Sequence, residues 1–103
     1  MTNHPPQRSV QHQSATDART AHLTLYHFPA CPYCVYVARE IEQLTLKIEM
    51  RDILQNDDYF EELHAGGGRT RVPCLRIRSD DGTSEWMYES ADIITYLRAH
   101  FAD

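Results

Sequence analysis

The stretch Leu23-Thr24-Leu25-Tyr26-His27-Phe28-Pro29-Ala30-Cys31-Pro32-Tyr33-Cys34 decides the fold. Its first half, residues 23–28, alternates apolar and polar positions with aromatic and β-branched types, which predicts a strand. Pro29 and Pro32 cannot continue a central ladder because each lacks a backbone donor. Pro32 at a first helical position, with Cys31 just before it, predicts a helix start. Downstream, Cys34, Val37, Ala38, Ile41 and Leu44 recur at three- and four-residue spacings, while Arg39, Glu40, Glu42 and Gln43 fill the outer positions. The pattern predicts an amphipathic helix from Pro32 to about Leu46.

Working outward, Lys47 to Ile53 alternates again, with Ile48, Met50 and Asp52 on one side, and predicts a second strand that completes a βαβ unit. Asn56 or Asp57 can cap a helix carrying Tyr59, Phe60 and Leu63, which the Gly66-Gly67-Gly68 run ends. Pro73 opens a third strand over residues 74–78, where a proline costs no ladder bond. Asp80-Asp81-Gly82 predicts a hairpin turn into a fourth strand, Ser84 to Tyr88. Ser90 is read as the N-cap of a last helix with Ile93, Ile94, Leu97 and Phe101 inward and Asp92 in its first turn. The order β-α-β-α-β-β-α predicts an α/β fold with a mixed four-stranded sheet and helices on both faces.

The 103 residues are 42% hydrophobic and 24% charged, the composition of one small domain. Met1–Ala21 is polar, with Met1 and Val10 as its only large aliphatic residues, and reads as a disordered tail without a secretory core. Residues 22–103 then form the domain. The formal net charge is −5, and the tail's Arg8, Asp17 and Arg19 leave the domain at −6. Such a surface does not suit a nucleic-acid backbone, so no nucleic-acid partner is expected. No apolar run approaches the roughly 20 residues of a membrane helix, so no membrane association is expected either. Three cysteines, two of them clustered, make a poor disulfide framework and point to a reducing, cytoplasmic setting.

Cys31-Pro32-Tyr33-Cys34 puts one thiol at a helix N-cap and the other three residues on, nearly on the same face. The unpaired amides and the positive end of the helix dipole favour a thiolate at Cys31. Cys34, one turn in on the apolar face, keeps its proton. Thiol–disulfide exchange needs this asymmetry, with an exposed nucleophile and a protected thiol that attacks after a mixed disulfide has formed. Half of a zinc site is the competing reading, but the other ligands have no fitting spacing and no metal is expected. His4, His12, His22, His27, His64 and His100 are scattered and receive no role. Tyr26, Phe60, Trp86 and Tyr88 read as core or sheet-face residues.

The Cys-Pro-Tyr-Cys turn after a first strand, with Val72-Pro73 about forty residues later, resembles the dithiol glutaredoxins, over Leu23 to about Phe101. The resemblance implies the thioredoxin fold in its small glutaredoxin form and glutathione-dependent reduction of protein disulfides and glutathione mixed disulfides. It implies Cys31 as attacking thiolate, Cys34 as resolving thiol, and a cis Pro73 facing Cys31. The Val72 backbone would then pair with glutathione like an added strand. Ser90 and Asp92 resemble the positions that grip the γ-glutamyl end, and Tyr33 a cover over the active sulfur; Arg71, with Arg69, in the loop before Pro73, is a candidate for the carboxylate charge that the family pattern places elsewhere. Partners implied are glutathione and disulfide-bearing or glutathionylated proteins, acting on a monomer.

Glu89 to Leu97 also resembles the segment that closes the N-terminal domain of glutathione transferases, which makes Glu89 a further candidate. Many glutaredoxins carry a lysine three residues before the first cysteine, where this chain has Phe28. That departure leaves open a thioredoxin-like donor reduced by a flavoprotein reductase. An iron–sulfur-binding module, with Cys31 and glutathione as ligands, is the reading from another class; Pro32 stiffens the turn against it and Cys34 competes for Cys31. Cys74, directly after Pro73, is either a buried small hydrophobe or a third redox thiol.

Overall fold

The computed structural model describes residues 18–102. Met1–Asp17, read above as a tail, lie outside the described residues. Ala18–Ala21, assigned to the same tail, instead pack on the domain. Thr20 is buried and its Oγ1 donates to the Lys47 carbonyl at 2.7 Å. Arg19 donates to the His100 carbonyl and lies over the Phe101 ring. A polar composition hid this docking because the polar groups are satisfied by backbone carbonyls and a ring rather than by water.

The elements run β1 (Leu23–His27), α1 (Pro32–Gln43), β2 (Glu49–Asp52), α2 (Asp57–Gly67), β3 (Cys74–Arg78), β4 (Ser84–Met87) and α3 (Ser90–Phe101). The sheet order is β2-β1-β3-β4, with β1 parallel to β2 and the other two pairs antiparallel. Alternation along the two central strands sorts their side chains to opposite faces. Leu23, Leu25 and Leu75 meet Val37 and Ile41 of α1 and Ile93, Leu97 and Phe101 of α3. On the other face Tyr26 and Cys74 pack with Ile53 and with Leu63 of α2. This is the thioredoxin-like α/β fold that the element order predicts.

Each helix end has an identifiable cause. α1 stops at Gln43, three residues before the expected end. Thr45 adopts φ 56°, its amide donates to the Glu42 carbonyl, and the Leu46 amide donates to the Ile41 carbonyl. This is a Schellman closure built on a threonine rather than the usual glycine. α2 starts on Asn56, whose Oδ1 accepts from the Asp58 amide at 2.9 Å, and ends on Gly68 at φ 83°. Gly66 and Gly67 stay helical, and a Cβ on either would collide with the Trp86 ring or the Tyr88 hydroxyl, so α2 sits unusually close to the end of β4. The cap of α3 is Glu89 and not Ser90, which is already the first helical residue. Glu89 has the extended backbone, and its carbonyl accepts from the Ile93 amide.

Edges depart from the expected alternation. Ile48 is buried just ahead of β2, but Met50 is 39% exposed, because β2 pairs on one side only and ends the sheet. Phe60, read as a core or sheet-face residue, is also exposed. The hairpin forms as expected: Gly82 takes φ 89° and the Thr83 amide is held by the Asp81 carboxylate. Over the α2 face, the Tyr26 hydroxyl donates to Glu62 at 2.9 Å, and Arg51 joins Glu62 to Glu49. Between α1 and α3, the buried Glu40 carboxylate receives two hydrogen bonds of 2.9 Å from Arg98. Among the described residues, no helix is long and apolar enough to cross a membrane.

Candidate functional site

β1 ends at His27, and the chain turns through Phe28–Ala30 so that the Cys31 amide donates to the Phe28 carbonyl at 3.1 Å. Cys31 is the N-cap of α1, as its position before Pro32 predicts, and its Sγ accepts from the Cys34 amide at 3.2 Å. The sulfur therefore sits on an orphan donor at the positive end of a twelve-residue helix. Cys34 is buried one turn further in. Burial first, then its hydrogen bond to Cys31, push the Cys34 thiol up to about 12. The proton is thus held on Cys34, the thiol inside the helix.

The Val72–Pro73 bond is cis. The Val72 carbonyl oxygen lies 3.9 Å from Cys31 Sγ, within reach of a weak S–H···O bond. Tertiary folding thus brings together residues 41 positions apart. Their closeness also corrects one expectation: Cys31 is 6% exposed rather than open to solvent, since the helix start and the Val72 segment close around it. Val72 stands outside the β-ladder, whose first paired residue in β3 is Cys74, opposite Tyr26.

The remaining candidates fall into two groups. Tyr33 is 61% exposed on the first turn of α1. Arg71 is exposed in the segment leading to Val72, Ser90 is half-buried at the start of α3, and Glu89 and Asp92 are exposed beside it. Arg69 differs from Arg71: its guanidinium lies over the Tyr88 ring, and the Tyr88 hydroxyl donates to the Arg69 carbonyl and accepts from the Arg69 amide. Tyr88, read from the sequence as a core or sheet-face residue, holds the Arg69 backbone through both of these bonds. It ties the loop before Val72 to the end of β4. Phe28 packs against the Tyr26–Ile53–Leu63–Cys74 cluster, so the position that departs from the glutaredoxin pattern is committed to packing.

Cys74 belongs to that cluster and is fully buried; burial pushes its thiol up to about 12, against hydrogen bonds from Tyr88 and the Met87 backbone. Burial likewise lowers the His27 imidazole below its ordinary value, with the Asp52 carboxylate opposing the shift. Among the described residues, no group of three or more His, Cys, Asp or Glu could hold a metal ion. Tyr36, three residues after Tyr33, is 54% exposed, with ring centroids 6.3 Å apart in an edge-to-face pair. The three-residue spacing of the two tyrosines is the sequence signal for it.

These features define a thioredoxin-like domain that carries a Cys-x-x-Cys pair at a helix N-terminus beside a cis-proline segment. Residues 25–103 match the glutathione S-transferase N-terminal domain family, and the chain belongs to that family. Among solved structures it is similar to the trimeric glutathione transferase TDR1 of Leishmania, with 24% identity and a TM-score of 0.63 over 78% of this chain and 18% of that one. It is similar to glutathione transferase E6 of Drosophila melanogaster, with 29% identity and a TM-score of 0.59 over 79% of this chain and 36% of that one. A thioredoxin-like protein shares 20% identity and a TM-score of 0.58 over 73% of this chain and 97% of its own. The chain therefore spans well under half the length of the transferases and nearly the whole of the thioredoxin-like protein. A search of curated proteins gave no match.

Proposed function

We propose that the protein is a glutathione-dependent thiol–disulfide oxidoreductase of the glutaredoxin kind. The observation that carries this reading is the placement of Cys31 Sγ, 3.2 Å from the Cys34 amide and 3.9 Å from the Val72 carbonyl. The Cys31 thiolate attacks one sulfur of a substrate disulfide, forms a mixed disulfide, and expels the other sulfur as a thiolate that takes up a proton. The Cys34 thiol then loses its proton and attacks Cys31 sulfur, releasing the second substrate thiol and leaving a Cys31–Cys34 disulfide. Two glutathione molecules return the pair to the dithiol and leave as glutathione disulfide.

Glutathione carries two carboxylates and one ammonium. The candidate residues fit it in kind: Arg71 for a carboxylate, the start of α3 at Ser90 for the γ-glutamyl carboxylate, and Asp92 for the ammonium. Val72 and Pro73 would hold its backbone and Tyr33 would cover the sulfur. Support comes also from a Pseudomonas fluorescens transferase family member, 20% identical, crystallised with two glutathione molecules bound. Glutathione-coupled turnover of a small mixed disulfide, followed through glutathione reductase and NADPH, tests the reading. Wild type turns over, Cys31→Ser is inactive, and Cys34→Ser keeps activity on glutathione adducts; an inactive wild type sinks it.

Phe28 favours a second reading. Because it is packed into the core cluster rather than offering charge, glutathione loses one anchor, and a flavoprotein reductase could serve as electron source instead. Reduction of the oxidised pair by thioredoxin reductase, without glutathione turnover, would select it.

A further inference from the structure

Residues 20–38 contain no Asp, Glu, Lys or Arg, in a chain that is 24% charged. The redox pair lies inside this run. Around the buried thiols the run turns Pro29, Ala30, Pro32, Tyr33 and Tyr36 to the surface. The other large apolar side chains exposed among the described residues are Met50, Leu54 and Phe60, of the β2–α2 segment. Tyr36 has no part in the chemistry above, yet more than half of a large ring stands free one turn from Tyr33.

The geometry points to Tyr36 as a specificity-determining residue that, with Tyr33, receives an uncharged, apolar segment of a protein substrate carrying the disulfide. This rests on the thiol–disulfide reading. Chemistry selects the occupant. A disulfide can react only where its sulfur reaches Cys31, the N-cap of α1, and Tyr33 and Tyr36 stand exposed on the turns that follow it. Glutathione is small and charged and has no apolar side chain to place on a ring. A polypeptide disulfide brings neighbouring side chains that bury the exposed ring faces of Tyr33 and Tyr36, and the run from Thr20 to Ala38 sets no charge of its own against them. The step itself is unchanged: two electrons pass from the dithiol to the substrate disulfide, which leaves as two thiols.

The test uses pre-reduced full-length protein in single turnover without glutathione, with insulin as polypeptide disulfide and bis(2-hydroxyethyl) disulfide as small one. Formation of the Cys31–Cys34 disulfide is followed by mass after acid quench. Tyr36→Ala lowers the second-order rate with insulin about five- to tenfold, the loss of one aromatic contact, and changes the small-disulfide rate less than about twofold. Tyr36→Phe, which keeps the ring, stays close to wild type with both. Equal losses on the two disulfides, or none with insulin, overturn the inference. A protein that shows the Tyr36 selectivity but no glutathione-coupled turnover loses glutathione as reductant and keeps this partner class. One that turns over with glutathione and lacks the selectivity keeps the reductant and loses the partner class.

Discussion

Cys34 and Cys74 are both pushed up from 9.0 to about 12 by burial, and the shift has a consequence for stability at alkaline pH. Above pH 9 the unfolded chain releases protons that the reduced folded chain keeps, so the stabilisation present below 9.0 is lost as pH rises toward 12. Each buried thiol adds at most about 1.4 kcal/mol per pH unit to that decline. Urea titrations of reduced protein between pH 9 and about 10.5 should show a shallower decline for Cys74→Ala than for wild type. An unchanged slope would mean that Cys74 titrates as in the unfolded chain. The position of Cys31 as helix cap was legible in the sequence, because Pro32 marks the first turn. Its near-complete burial was not, because the Val72 carbonyl that closes over it comes from a segment 41 residues away.

At the scale of elements, α2 meets β4 through glycines. In an open helix Gly→Ala stabilises by up to about 1 kcal/mol. At Gly66 the new carbon would stand 2.1 Å from the Trp86 ring, so the sign reverses, and Gly66→Ala should cost about 1–3 kcal/mol in urea unfolding. At Gly67 the clash is with the Tyr88 hydroxyl, at 1.8 Å, which holds Arg69. Gly67→Ala should therefore disturb redox turnover more than Gly66→Ala does, through the loop leading to Val72. Arg98→Met, which leaves the buried Glu40 carboxylate without its guanidinium, should lower the melting temperature, and a double variant with Glu40→Met should recover part of the loss. The triple glycine announced a helix end. That two of its members are helical and lie against the rings of Trp86 in β4 and Tyr88 just beyond it is reported by no local signal.

For the whole molecule, the segment before β1 contributes to the fold. Deleting residues up to 21 removes the Thr20 bond to Lys47 and the Arg19 bond to the carbonyl at the end of α3. Thr20→Val alone should cost about 1 kcal/mol, and the deletion should lower the melting temperature by about 4–8 °C or more. A deletion variant that melts with wild type would show these contacts to be energetically silent. The chain belongs to the transferase N-terminal domain family and spans well under half of the transferases compared.

Periodicity and punctuation in the sequence determined the order of elements, the mixed sheet, the helix start at Cys31 and the hairpin at Gly82, because each depends on neighbours within a turn or two of chain. The sequence also determined which thiol caps a helix and which lies on its apolar face. Tertiary structure decided the burial of Cys31, the exposure of Met50 and Phe60, the loop held by Tyr88 and the docking of Arg19 and Thr20. It also decided that α1 closes on a threonine at positive φ and that Glu89 rather than Ser90 caps α3. Each of these turns on contacts between distant segments, or on a backbone choice that several residue types could make, and neither is written in local spacing.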